Sequence, residues 1–239
     1  MHSESHSQPT HLDRNSRVAL LDGPSPVLVV YHTGCVFDYS HQCTVAEGAV
    51  SADRSRQFLE QADSNKRPFL IEFPARALAA ASPSFKQSYE SSSNTSRIRF
   101  DLGNLLPGYA MCVLDWYGRS LASRQWYSFL PEEPSMQIGN EWFWVYCYAT
   151  MRRLGLDEFA SSLGEVIGGM MGRLAIDAAG YEHLLRAVPV EDPLIVALAT
   201  HTAQSMVSQT LALTEADIVM ITERFPSFAE LVNSILRRR

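Results

Sequence analysis

Apolar residues recur at three- and four-residue intervals from Glu141 onward. In Glu141–Ala160, Trp142, Val145, Tyr146, Ala149, Leu154, Leu156 and Phe159 fall on helical spacing, and Gly155 stands where a helix would stop. That pattern predicts a helix, a turn and a second helix. Downstream the same period predicts helices over 141–153, 156–168, 177–188, 192–210 and 214–236. Asp192-Pro193 and Thr214-Glu215-Ala216-Asp217 read as helix starts, and Pro226 breaks the last helix in two.

Upstream the period changes. Val18–Leu21 is a candidate short strand. Pro26–Tyr31 is β-branched and apolar on both faces, as a buried strand is. Cys35–Tyr39 is expected to pair with it in a hairpin, and Ser55–Ala62 to form a short helix. Phe69–Phe73 reads as a second strand, Ala75–Ala81 as an Ala-rich helix, and Ser82-Pro83 as its stop. Arg97–Asp101 alternates and predicts a strand with one wet face. Pro107–Tyr117 is expected to be helical with Tyr109, Val113, Leu114, Trp116 and Tyr117 inward, and 130–140 a link. Strands mixed with short helices, then helices alone, predict an α+β class: a small mixed sheet followed by an all-helical C-terminal half. The polar residues 1–16 read as a disordered tail, 17–160 as one domain with an insertion at about 32–68, and 161–239 as a helical extension.

Composition narrows the functional classes. With 46% apolar and 19% charged residues, a chain of 239 can bury a core without metal or disulfides. A net charge of −6 argues against a nucleic-acid partner, which needs a basic face. Four scattered cysteines make no disulfide framework, and Cys112 and Cys147 sit in apolar runs as small hydrophobes. No membrane span and no secretory leader is expected, so the anticipated location is intracellular, cytoplasmic or nuclear.

Candidate chemistry is sparse. His32, Cys35, His41 and Cys43 fall within one short stretch and form a candidate metal set, although their spacing matches no common zinc pattern. The glycines of 163–172 lack the Lys-Ser/Thr ending of a phosphate loop, and Gly164, Gly168 and Gly172 read instead as a close-packing stripe or as a fraying of the helix into a loop. Cys147 with His183 or His201 has nothing that fixes nucleophile and base together. Glu132-Glu133 and Glu191-Asp192 fall in turns or caps. Trp142 and Trp144 cannot both face one side of a helix, so at least one is expected either at the surface as an interface anchor or packed against the amino-terminal half.

Phe69–Phe73, then Leu78–Phe85 with its Ser-Pro-x-Phe, Arg97–Asp101, Val113–Gly118 and Val145–Ala149 with Leu154-Gly155-Leu156 together resemble the BTB/POZ domain. The form resembled is the divergent one common among fungal proteins. Tyr181–Pro189 and Phe225–Leu231 resemble the helical tail of such members. The resemblance implies a non-enzymatic protein–protein interaction and oligomerisation module. It would need no cofactor and would act as an adaptor for itself, a ubiquitin ligase or a chromatin component. Phe85, Tyr89, Trp142 and Trp144 are then the expected shared surface, and Leu78, Leu114, Tyr146 and Leu156 the core. The rival expectation is a small metal-dependent or cysteine enzyme built on His32–Cys43.

Overall fold

A computed structural model describes residues 9–23, 27–31, 69–91, 97–102, 105, 107–127, 129, 141–171 and 176–238. Two compact units divide the chain, Met1–Ala160 and Ser161–Arg239.

In the first unit a 3-10 turn, Pro9–His11, precedes α1, Arg14–Ala19. The Asp13 carboxylate starts α1 by accepting the Ser16 N–H at 2.9 Å. This corrects two expectations: residues 9–16 are not a disordered tail, and Val18–Leu21 is not a strand. The physical reason is Arg17, only 6% exposed. Its guanidinium donates to the carbonyls of Leu12, Ser123 and Arg124 at 2.9–3.2 Å. A polar segment can be held by charge-assisted hydrogen bonds where it has little apolar surface to bury.

Three short strands follow the predicted order: β1 (Val27–Tyr31), β2 (Phe69–Glu72) and β3 (Arg97–Asp101). β1 is central. It pairs antiparallel with β2, Val27 opposite Glu72 and Val30 opposite Phe69, and parallel with β3, Val27 opposite Arg97. Between β2 and β3 lie α2 (Ala75–Ala81) and α3 (Pro83–Ser91). Ser82 ends α2, and its hydroxyl then accepts the Phe85 N–H at 3.1 Å inside α3.

α4 (Pro107–Ala122) runs five residues past the expected end and buries Tyr109, Val113, Leu114, Trp116 and Tyr117 as expected. α5 (Glu141–Arg153) is buried at every position from Phe143 to Met151, the mark of a helix enclosed on all sides. α5 ends at Gly155, whose φ is +72°. Leu156 N–H donates to Met151 O at 2.9 Å and Gly155 N–H to Arg152 O at 3.1 Å, so the last carbonyls are satisfied in a Schellman turn. α6 (Asp157–Met171) starts two residues later, with Asp157 paired to Arg152.

In the second unit, α7 (Ala178–Ala187), α8 (Pro193–Ser208), α9 (Glu215–Arg224) and α10 (Pro226–Arg237) follow. Asp177, Asp192 and the Thr214–Asp217 box cap three of them. α8 packs on α10 and α7 on α9. Tyr181 on α7 shares a 2.8 Å hydrogen bond with Thr202 on α8 and meets the Phe228 ring on α10. Glu182 accepts from Arg224 at 3.0 and 3.1 Å, tying α7 to α9.

The α+β expectation, with a BTB/POZ-like mixed sheet as the organising layer, is thus corrected. Strands of four or five residues stand among ten helices of six to sixteen residues, so the described residues are mainly helical. Every described regular element after β3 is a helix, and the strands are too short to organise so many. The expected core is borne out: Leu78, Leu114, Tyr146 and Leu156 are all buried. The expected hairpin over 35–39, helix over 55–62 and insertion at 32–68 lie outside the described residues, as does the 130–140 link.

Two glycines give opposed expectations. A Cβ on Gly155 would fall 2.5 Å from Ser82 Oγ and 2.6 Å from Ser84 Oγ, on a backbone that L side chains resist. Gly155→Ala should therefore lower stability by about 1–3 kcal/mol. Gly168, inside α6, has nothing near its Cβ position, and Gly168→Ala should raise stability by up to about 1 kcal/mol. Urea unfolding of the two variants checks both signs.

Candidate functional site

The four candidate metal ligands, His32, Cys35, His41 and Cys43, lie outside the described residues. Among the described residues no three His, Cys, Asp or Glu side chains come together as a metal set. Glu132-Glu133 is likewise outside them, while Asp192 is a helix cap, accepting the Leu194 N–H at 2.9 Å.

Two of the four expected surface aromatics are corrected. Phe85 and Trp144 are each 2% exposed, whereas Tyr89 and Trp142 are half-buried. Phe85 stacks on Tyr89 with ring centroids 5.7 Å apart. Trp144 meets Phe129 and Phe143 edge-on at 5.5 and 5.2 Å. The alternation argument fails because it assumes a one-sided helix. α5 is enclosed from Phe143 to Met151, so Trp144 goes inside as well. Its indole N–H finds no acceptor among the described residues, whereas Trp116 Nε1 donates to Tyr127 O at 3.2 Å.

The thiol expectation can be judged on Cys147. It is fully buried, and burial, with Cys112 nearby as a second cause, pushes its thiol well above the ordinary range. A neutral thiol sealed from solvent is no nucleophile. His183 is held below its ordinary value by burial, against the opposing pull of Glu182 and Asp177. Of the glycine stripe, Gly168 has open space around its Cβ position and serves no close packing there, and Gly172 lies outside the described residues.

The first unit's polar groups are used structurally. Tyr117 donates its hydroxyl to Ala77 O at 2.8 Å, joining α4 to α2 in the interior. Burial raises its phenol far above the ordinary value of 10, with the Glu158 charge as a second cause. Thr10 donates to Glu158 at 2.7 Å.

An exposed apolar set lies on α8 and α9. Val196, Met206, Val207 and Val219 are the exposed large aliphatics among the described residues, Val207 at 63% and Val219 at 51%. Val196 and Val207 are eleven residues apart, three turns, and so share one side of α8. A shallow open groove runs along α9, lined by Thr214, Glu215, Ala216, Val219, Met220 and Glu223. Sequence reading passed over this set. Its signal is Leu194–Ala199, six consecutive apolar residues, more than one helix face can bury. The chain matches no family model, no curated protein and no solved structure.

Two measurements follow from the buried groups. Cys112 and Cys147 should resist iodoacetamide in the native chain at pH 8 and alkylate fully in denaturant, as mapped by peptide mass spectrometry; native labelling of Cys147 would contradict its burial. Tyr117, raised in the folded state, stabilises fully below the ordinary phenol value, and that contribution is lost as pH rises past it. The urea midpoint should therefore fall above pH 10. Tyr117→Phe should soften that fall while costing about 1 kcal/mol near neutrality through the lost hydrogen bond.

Proposed function

We propose that this protein is a non-enzymatic protein–protein interaction module, with a second copy of itself as one partner. One observation carries the reading. Four of the five exposed large apolar side chains among the described residues sit on two consecutive helices of one unit, α8 and α9. Isolated surface apolar residues are ordinary, but Met206 and Val207, adjacent in the chain, are both exposed at the end of α8, and neighbouring exposed apolar residues are a feature of interaction surfaces. The short motifs that resemble BTB/POZ proteins point toward the same use. Tyr89 and Trp142, both half-buried, add aromatic area in the first unit of the kind that anchors interfaces.

Light scattering over a dilution series tests this directly. The chain should show twice its 26.7 kDa mass at micromolar concentration. Val207→Asp should lower the mass toward that of one chain while leaving the circular dichroism of the folded chain unchanged, because Val207 is largely exposed within one chain. A mass of one chain at every concentration would refute self-association.

A further inference from the structure

We infer that the groove along α9 receives a basic amphipathic helix from a protein partner, a reading that rests on the module function proposed above. The groove combines an apolar floor with an acidic rim. Glu215, Val219 and Glu223 follow one another at four-residue steps, and Ala216 and Met220 lie one residue round the helix. Val219 is half exposed, and Met220 supplies a pliant thioether.

The two rim carboxylates are eight residues apart, about 12 Å along the axis. Neither Glu215 nor Glu223 forms an ion pair among the described residues. The other charges of α9 are engaged: Asp217 accepts from Thr214 in the capping box, and Arg224 pairs with Glu182. The outer face therefore presents negative charge at both ends of an apolar strip: Glu215 in the first turn, where the helix dipole favours it, and Glu223 beside an Arg224 already paired with Glu182.

The complement to that surface is a helix with apolar residues at three- and four-residue spacing, flanked by Lys or Arg. A helix laid in an apolar groove is a common mode of peptide recognition, and opposite rim charges select the partner and speed its encounter. An acidic or uncharged helix would leave both carboxylates uncompensated.

The test uses the full chain and three fluorescent peptides: a Leu/Lys peptide with helical spacing, a Leu/Glu peptide of the same pattern, and a Leu/Lys scramble without the pattern. Anisotropy titrations should show binding of the patterned Leu/Lys peptide alone, weakening as salt screens the rim. Glu215→Lys/Glu223→Lys should weaken it roughly tenfold or more and admit the Leu/Glu peptide. Glu223→Lys alone places a cation in the last turn, where it suits the helix dipole, and should weaken binding with no loss of melting temperature. Equal binding of all peptides, or binding indifferent to Glu223→Lys, would overturn the inference. A dimer that ignores every peptide overturns the groove assignment and leaves the module reading standing. A dimer dissolved by Glu223→Lys but not displaced by the Leu/Lys peptide makes the occupant a second copy and likewise overturns it. A monomer that binds the patterned Leu/Lys peptide supports the groove and removes self-association.

Discussion

The first unit depends on the close seat of one glycine. Gly155 closes α5 in a left-handed turn, and the hydroxyls of Ser82 and Ser84 lie where its Cβ would be. Two connections far apart in sequence, the α2–α3 corner and the α5–α6 turn, therefore meet with only two serine side chains between them. Each side is independently fixed. Ser82 is wholly buried and holds the Phe85 amide, and Met151 and Leu156 close the Schellman turn. Ser82, bonded to the Phe85 amide, cannot withdraw far to admit a methyl group.

The helix that this turn closes is enclosed on all sides from Phe143 to Met151. α5 brings Phe143, Trp144, Tyr146 and Tyr148 into the interior, and its neighbours answer with aromatic surface of their own. Trp116 meets Phe129, Trp126 and Phe159 edge-on at 4.9–5.9 Å, and Tyr109 lies 5.1 Å from Tyr146. Such pairs add about 0.5–1.5 kcal/mol each beyond the area they bury. The Trp144 N–H, without an acceptor among the described residues, works in the other direction by about 1–3 kcal/mol. Two edge-on ring contacts at Trp144 are of the same order.

Much of this could be read from residue order. Asp192-Pro193, Thr214–Asp217, Ser82-Pro83 and Gly155 are local signals, complete within a few residues, and each marks a boundary the structure keeps. Misreadings arose where the deciding partner is distant or unusual. α1 is a helix because Asp13 caps it, and it is held because Arg17 reaches carbonyls more than a hundred residues away. α8 ends at Ser208 because Gln209 takes a left-handed conformation that glycine usually supplies, so the expected helix ran two residues long. Phe85 and Trp144 looked like surface anchors because helical spacing gives relative facing, not how many sides of a helix are covered. The candidate metal residues fall outside the described chain, so the rival enzymatic reading gains no support from geometry.

The exposed apolar residues of α8 and of α9 are best understood by what their neighbours already do. On α8, Leu194, Ile195, Leu198, Ala199 and Ala203 are fully used inside the second unit, so Val196 and Val207 are surplus to its core. On α9, Ile221 is buried, Ile218 and Met220 are half-buried, and the Glu182–Arg224 pair and the Thr214–Asp217 box add to what holds the helix. A helix so secured has no folding need for an apolar side chain at Val219, which is half exposed. Glu223 forms no ion pair among the described residues, so Val219 beside it adds nothing evident to stability. It is intelligible as recognition chemistry, in which the apolar strip gives affinity and the two charges decide which helices are refused.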